Sequence, residues 1–388
     1  MPRQLLFLPG PVSVAQPVTE ALARPLIDHR GPEFAELLTR ITEALRPLFG
    51  TRNDVIVLGS SGTGALETAV ANTLFPGDLV LSCGVGFFGD RFATIAQNYG
   101  CEVERLETPL GSALDLQALA DRLRKDARHQ IAAVLLTHNE TSTGVTNDMA
   151  ALAPVLRSHG ALTLVDSISG IGASEFRMDE WGYDVAVTAS QKAFAAPPGV
   201  SMIALSDRAW ERSSKVRAPR FYFDLAAARN AARLGQMPWT PPISILFALD
   251  EALRRYHAEG AHNAYARHAR YAAAVRAALE RLGFTIFSQS GAHSPTVVAA
   301  TPPAEVDVPD FLQRLRNEYG IVLSGGQGSL ARKIVRFGTM GDVGERDILA
   351  ALATIELALL QMGIAVEPGT GCAAAIEAFG GRVTSGVA

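Results

Sequence analysis

The chain has 388 residues, too many for one ordinary core, and its 48% hydrophobic and 19% charged residues exclude a disordered polymer. A net charge of −4 without any run of like charges leaves no footprint for nucleic acid or an anionic membrane surface, so the expected partners are small molecules and copies of the chain itself. No apolar stretch reaches the roughly 18 residues a membrane helix needs, and three widely spaced cysteines (Cys83, Cys101, Cys372) fit reduced thiols and a cytoplasmic protein.

The opening "MPRQLLFLPGPVSV" is too short in its apolar run for a signal peptide and is interrupted by "PGP". From residue 55 to 205, β-branched runs alternate with helical stretches, the pattern of parallel strands joined by crossover helices. The predicted strands are "VIVLG", "LVLS", "EVERLE", "IAAVLLT", "LTLVD", "YDVAVTA" and "VSMIALS", with helices such as "GALETAVANTLF" and "MAALAPVLRSHG" between them. This is a large doubly wound, mostly parallel α/β sheet, whose ligands sit outside the carboxyl ends of the strands. A long helical stretch, about 243 to 282, follows "RFYFDLAAARNAARLGQMPWTPP". Then "FTIFSQ", "PTVVAAT", "GIVLSG" and "KIVRFG" read as strands, with helices at about 308–319 and 344–361, where Ile348, Leu352, Ile355 and Leu359 keep helical spacing. The expected organisation is an N-terminal arm (1–20), a large domain (21–260) and a smaller C-terminal α/β domain (261–388). Its last two dozen residues, rich in Gly and Ala, read as a flexible tail.

Of only four lysines, Lys125, Lys215 and Lys333 stand in charged neighbourhoods, and Lys192 alone lies in an apolar tract, "VTASQKAFAAPPGVSMIALS". Burial lowers a lysine's pKa and yields the neutral amine that attacks a carbonyl; a strand-end lysine reaching out to solvent is the competing reading. "GSSGTGALE" follows a strand and opens a helix, so its N–H groups can wrap a phosphate at Thr63 and Gly64, or the turn is purely structural. Asp166 ends "LTLVD", where a carboxylate can hold a pyridinium N–H or simply make a turn. Phe88 of "VGFFGDR" offers a ring face or a core side chain. Arg336 of "KIVRFG", flanked by apolar residues, grips either a ligand carboxylate or a structural partner. One cofactor, pyridoxal 5′-phosphate, accounts for Lys192, Asp166, Phe88, Thr63 and Gly64 together. His257, His262 and His268 lack the spacing of metal ligands on one helix face, and Ser60 and Ser61 lack a hydrolase nucleophile's context.

"SQKAFAAPPG" resembles the cofactor-lysine segment of the class V aminotransferases, and "THNETSTGVTND" with "FRMDEWGYDVAVTASQKA" is similar to their serine–glyoxylate branch. "LFLPGPV", "SGTGALE", "KIVRFGTMG" and "GTGCAAA" extend the resemblance along the whole chain. The resemblance implies the fold of type I pyridoxal-phosphate enzymes and a homodimer with shared active sites. It makes Lys192 the cofactor-bearing lysine and Asp166 the partner of the ring nitrogen. Thr63, Gly64, Gln191 and Thr240 become phosphate ligands, Thr240 in the neighbouring subunit's site. Phe88 and Ile168 flank the ring, Thr141 falls near its hydroxyl, and Arg336 receives the substrate α-carboxylate. Met237 stands where some alanine–glyoxylate relatives carry a tyrosine, and His29 of "DHRGPEF" where plant serine–glyoxylate enzymes have one; His29 and Arg30 are expected to border the substrate.

The implied reaction is transamination from L-serine to glyoxylate, giving hydroxypyruvate and glycine, with an alanine–glyoxylate or other small amino acid–oxoacid transaminase as the alternative. A lyase of the cysteine desulfurase type needs a thiol on a small-domain loop, and "VLSGGQGSL" has none, while Cys372 is expected beyond the last helix. A catalytically silent homologue is opposed by the joint presence of Lys192, Asp166 and Arg336.

Overall fold

The computed structural model describes residues 4–380. Seven strands form the main sheet, in the order Val55–Leu58, Ser201–Leu205, Val185–Ala189, Leu162–Asp166, Ile131–Thr137, Leu79–Cys83 and Glu102–Arg105. Six run parallel. The Ser201–Leu205 strand is antiparallel to both its neighbours, so the sheet is mixed where the sequence pattern alone reads as parallel. Its connection explains the exception: only the turn 190–200 separates it from Val185–Ala189, too short for the crossover a parallel pair requires.

Both faces of the sheet are covered, which is why its strands read as continuous apolar runs. Along Val55–Leu58 the pleat sends Val55 and Val57 into one core, with Phe34, Leu37 and Ile41 of the helix Pro32–Phe49, and Ile56 and Leu58 into the other, with Ala65, Leu66 and Ala69 of the helix Gly62–Thr73.

A second sheet of four strands, Thr285–Ile286, Val297–Thr301, Val335–Gly338 and Ser324–Gly325, is antiparallel throughout. Its core joins Phe311, Phe337, Ile348, Leu352 and Ile355. The helical stretch from 243 is two helices, Ile243–Glu259 and Ala261–Arg281, broken at Gly260, whose φ of 86° lies where only glycine sits without strain. The first packs on the large-sheet core and the second on the small one.

Two expectations need correction. Residues 370–380 are not a loose tail but a helix, Thr370–Gly380, packed against Ala261–Arg281, with the buried Glu356 carboxylate accepting from Gly369 N (2.6 Å) and Cys372 N (3.0 Å) at its start. Gly and Ala lower the hydrophobicity of such a helix without removing its ability to pack closely. Cys372 lies within this helix, not beyond the last one. Residues 381–388 of the expected tail lie outside the described residues. The N-terminal segment, for its part, runs along the small sheet: Leu5–Leu6 pairs with Ile321–Val322, Phe7 exchanges hydrogen bonds with Val322 and Gly338, and Ser13 bridges to Gly341.

Candidate active site

The carboxyl edge of the large sheet gathers the chemistry. Asp166 is the last residue of its strand and is 4% exposed. Its Oδ1 accepts from Ile168 N at 3.0 Å, and Oδ2 has no hydrogen bond among the described residues. Burial pushes its pKa up to about 7, a rise that the Glu140 charge reinforces and the cations Lys192 and Arg91 oppose. The turn after Val185–Ala189, closed by Ala195 N to Lys192 O at 2.9 Å, turns Lys192 back over this edge. Burial lowers the Lys192 amine to about 8 against the pull of Asp166, and the positive charge of Arg336 lowers it further. The solvent-reaching lysine is therefore not what the fold builds.

Lys192 Nζ donates to Pro9 O at 2.7 Å. The N-terminal "PGP" thus lies directly on the lysine. At Gly10, with φ +129°, a Cβ would stand 2.8 Å from both Cδ and Nζ of Lys192, so a larger residue would strain the backbone and push the lysine aside.

On the next loop, the helix Gly62–Thr73 is capped by Ser61, whose Oγ accepts from Gly64 N at 3.4 Å. The N–H groups of Gly62 and Thr63 carry no hydrogen bond among the described residues, so the open donors lie one position earlier than Thr63 and Gly64 taken as a pair. Ile168 packs onto Gly62, where a Cβ would come within 2.6 Å of its Cδ1. Thr63 Oγ1 accepts from Arg91 Nη1 at 3.2 Å, and the same guanidinium lies 4.9 Å from the Phe88 ring centroid.

Phe88 is half-buried, not core, and its position is fixed by a residue that sequence reasoning missed. Glu140, fully buried, accepts from Phe88 N and Gly89 N at 3.1 Å each through Oε2, and from Ser142 N (3.0 Å) and Ser142 Oγ (2.7 Å) through Oε1. Desolvation raises its pKa and these four bonds oppose the rise. The signal was a carboxylate inside "HNETSTG", among small residues that can surround it.

Arg336 comes from the other sheet, at mid-strand in Val335–Gly338. It is 6% exposed and meets only neutral acceptors: Gly325 O from Nε (2.8 Å), and Thr141 O (3.1 Å) and Gln327 Oε1 (3.3 Å) from Nη1. Nη2 has no partner, and no carboxylate among the described residues pairs with it, which removes the structural ion pair. Burial lowers its pKa to about 10 and only the more distant Glu140 charge opposes this. A buried guanidinium without a counter-ion costs several kcal/mol unless a ligand supplies one.

Thr141 joins the site through its carbonyl on Arg336. Gln191, half-buried, adjoins Lys192 in the turn. Three expected residues make no hydrogen bond to these among the described residues. Thr240 is exposed, His29 makes no hydrogen bond among the described residues, and Arg30 is engaged by Gln236 Oε1 through its side chain and by Asp28 Oδ1 through its N–H. The Arg30–Gln236 contact ties the turn 28–30 to the segment that runs through the buried Met237 to Thr240.

A family model described as Aminotransferase class-V matches residues 19–343. The chain is 38% identical over 378 residues to the soluble hydrogenase 42 kDa subunit of Anabaena cylindrica (97% of this chain, 98% of that one). It is 36% identical to an L-aspartate–glyoxylate aminotransferase of Paracoccus denitrificans (96% and 96%) and 37% identical to a serine–glyoxylate aminotransferase of Arabidopsis thaliana (96% and 94%). Its fold is similar to the crystal structure of ureidoglycine–glyoxylate aminotransferase from Bacillus subtilis, with a TM-score of 0.92 at 29% identity over 98% of both chains.

Proposed function

This chain belongs to the class-V aminotransferase family, and from that premise we propose that it moves the amino group of L-serine to glyoxylate, with pyridoxal 5′-phosphate as cofactor. The observation that carries the reading is a titratable Lys192 within electrostatic reach of a buried Arg336 that has no ion pair. The first can give up its charge near neutral pH. The second cannot, and waits for an anion.

The residues present fit the cofactor. Asp166 keeps one oxygen free for a ring N–H, Gly62 and Thr63 offer open N–H groups to a phosphate beside Gly64 and Gln191, and Phe88 and Ile168 offer apolar surface for the ring. When bound, pyridoxal phosphate supplies an aldehyde to join the amino donor and a protonated ring to draw electrons from its Cα. Asp166 holds the proton at the ring nitrogen. Lys192 Nζ removes the proton from the donor Cα and acts as general base and acid in turn. Arg336 binds the α-carboxylate of the amino donor and then that of the oxoacid, so one fork serves both half-reactions and the kinetics are ping-pong.

His29, Arg30 and Thr240 enter through a second copy: the exposed Phe221, Tyr222 and Leu234 suit a homodimer in which each subunit completes its neighbour's site. Three unpaired thiols suit the cytoplasm.

The choice of serine rests on the polarity around Arg336, where every contact is neutral, so an aspartate side chain would enter without a counter-ion. The test has two parts. Serine should convert the visible spectrum of the purified holoenzyme and glyoxylate should restore it. With glyoxylate as acceptor, kcat/KM should rank serine above alanine, with aspartate and glutamate far below. Alanine or aspartate equal to serine would overturn the donor and leave the family standing; a spectrum indifferent to all four would remove the transaminase reading.

A further inference from the structure

Three acceptors surround Arg336, and two are main-chain carbonyls fixed by the fold. The third, Gln327 Oε1, belongs to a side chain on a short loop. Gly326 N to Ile334 O at 3.0 Å closes that loop on one side, and a one-turn helix, Gly328–Leu330, closes it on the other. At Gly328 a Cβ would stand 3.5 Å from the Phe87 ring, so the loop bridges the small sheet to the start of the helix that carries Phe88. Gln327 therefore stands where the two halves of the site meet.

Its orientation follows from chemistry. Nη1 of an arginine can only donate, so the amide oxygen faces Arg336 and the NH2 group faces away from it. That NH2 has no partner among the described residues, and Gln327 is only half-buried. Beside a carboxylate held on Arg336 there is thus a second, uncharged donor with its hydrogens free.

We propose that Gln327 is a specificity-determining residue: its amide, oriented by Arg336, donates to an uncharged oxygen on the donor's side chain and supplies no cation for a second carboxylate. The substrate class it selects is small hydroxy-amino acids over both alanine and dicarboxylic amino acids. Hydrogen bonding to a substrate hydroxyl discriminates because an analogue without it leaves the amide unpaired. An amide cannot offset the desolvation of a carboxylate as a guanidinium can. The inference deepens the serine–glyoxylate reading and rests on it.

The experiment measures kcat/KM for serine, alanine and aspartate, with glyoxylate as acceptor, in the holoenzyme and in Gln327→Ala and Gln327→Arg. Removing one neutral hydrogen bond should lower the serine value about tenfold in Gln327→Ala while alanine changes less than about twofold. Gln327→Arg should raise the aspartate-to-serine ratio at least about tenfold. Serine and alanine falling in parallel would mean that Gln327 only orients Arg336, and unchanged ratios would remove it from recognition; either overturns the proposal. Cofactor absorbance and melting temperature, expected to match the wild type, separate a specificity change from a folding defect. A wild type that uses serine alongside variants with unaltered ratios would defeat this inference alone, whereas a wild type inert to serine would bring down both.

Discussion

The two sheets each contribute one cation to the site, Lys192 half-buried and Arg336 buried, and the cations are not equivalent. Lys192 leaves the large sheet on a turn, faces a buried carboxylate, and has its amine lowered to about 8. Arg336 sits within a strand of the small sheet, held by two carbonyls and an amide, and stays charged even though burial lowers it to about 10. A proton carrier has to be able to lose its charge; an anion clamp has to keep it. In the proposed function the large sheet serves chemistry at a cofactor and the small one holds the substrate, and each prediction below removes one side of that division.

The largest effect is expected from Lys192→Ala, which removes the cofactor link and the proton carrier together. Turnover should fall by at least about a thousandfold with the melting temperature nearly unchanged, and borohydride should fix the cofactor on the wild-type peptide containing Lys192. Label on Lys125, Lys215 or Lys333 would reassign the chemistry. The lowered amine adds a pH signature. The neutral fraction rises through about pH 8, so the rate at which apoprotein captures pyridoxal phosphate should climb nearly tenfold per unit below that pH and level off above it. A profile still climbing at pH 10 would show an ordinary, unperturbed lysine.

Asp166→Asn should cost roughly one hundredfold in kcat, the scale of a lost charge-assisted hydrogen bond. It should also stabilise the apoprotein above pH 7. The folded pKa of Asp166 is raised from 3.8 to about 7, so ionising it penalises the folded state. Stability is lost as pH rises from about 4 through 7, and the amide, which does not ionise, removes that loss. Near-normal kcat would make Asp166 a turn residue, and an apoprotein no more stable at pH 8 would mean that its carboxylate carries no burial penalty.

On the small-sheet side, Arg336→Ala should raise KM for amino donor and oxoacid alike, by about ten- to a hundredfold, because both present a carboxylate to one fork. Arg336→Lys should rescue little, since a point charge does not reproduce the fork. A loss confined to one substrate would mean two anion sites.

Much of this division was legible in the sequence, unevenly and for physical reasons. Lys192 and Arg336 were visible because a charge in an apolar run is rare, and Asp166 because it ends a strand that reads plainly. Glu140 and Gln327 were not, since their importance lies in what they touch across 52 and 9 residues of chain, and no local pattern reports that. The break at Gly260 was hidden because helical composition continues on both sides of it. The helix Thr370–Gly380 was missed because an Ala-rich surface reads as loose until the helix it covers, Ala261–Arg281, is in place. His29, Arg30 and Thr240 make no hydrogen bond to Lys192, Asp166 or Arg336 among the described residues, and a single sequence does not display what a second copy would bring to them.

The smallest effect is expected at Phe88, where the two readings of an aromatic residue can be told apart. Its backbone N–H is held by Glu140, so the helix that begins at Phe87 stays in place when the ring is removed. The ring is half-buried, so its truncation opens no large cavity in the core, and the melting temperature of the apoprotein should drop by no more than a few degrees. What Phe88→Ala loses is a face for the cofactor ring, worth about 0.5–1.5 kcal/mol, or roughly two- to twelvefold in cofactor dissociation constant. Arg91, which lies over the same ring, keeps the Phe87 ring and Thr63 as side-chain contacts. Cofactor affinity should therefore fall while KM for serine and glyoxylate stays close to wild type once the enzyme is saturated with cofactor, since the proposed function holds both carboxylates on the other sheet. An unchanged dissociation constant together with a large drop in melting temperature would return Phe88 to the core, and equal losses in cofactor and substrate binding would show that the two sheets do not divide the work.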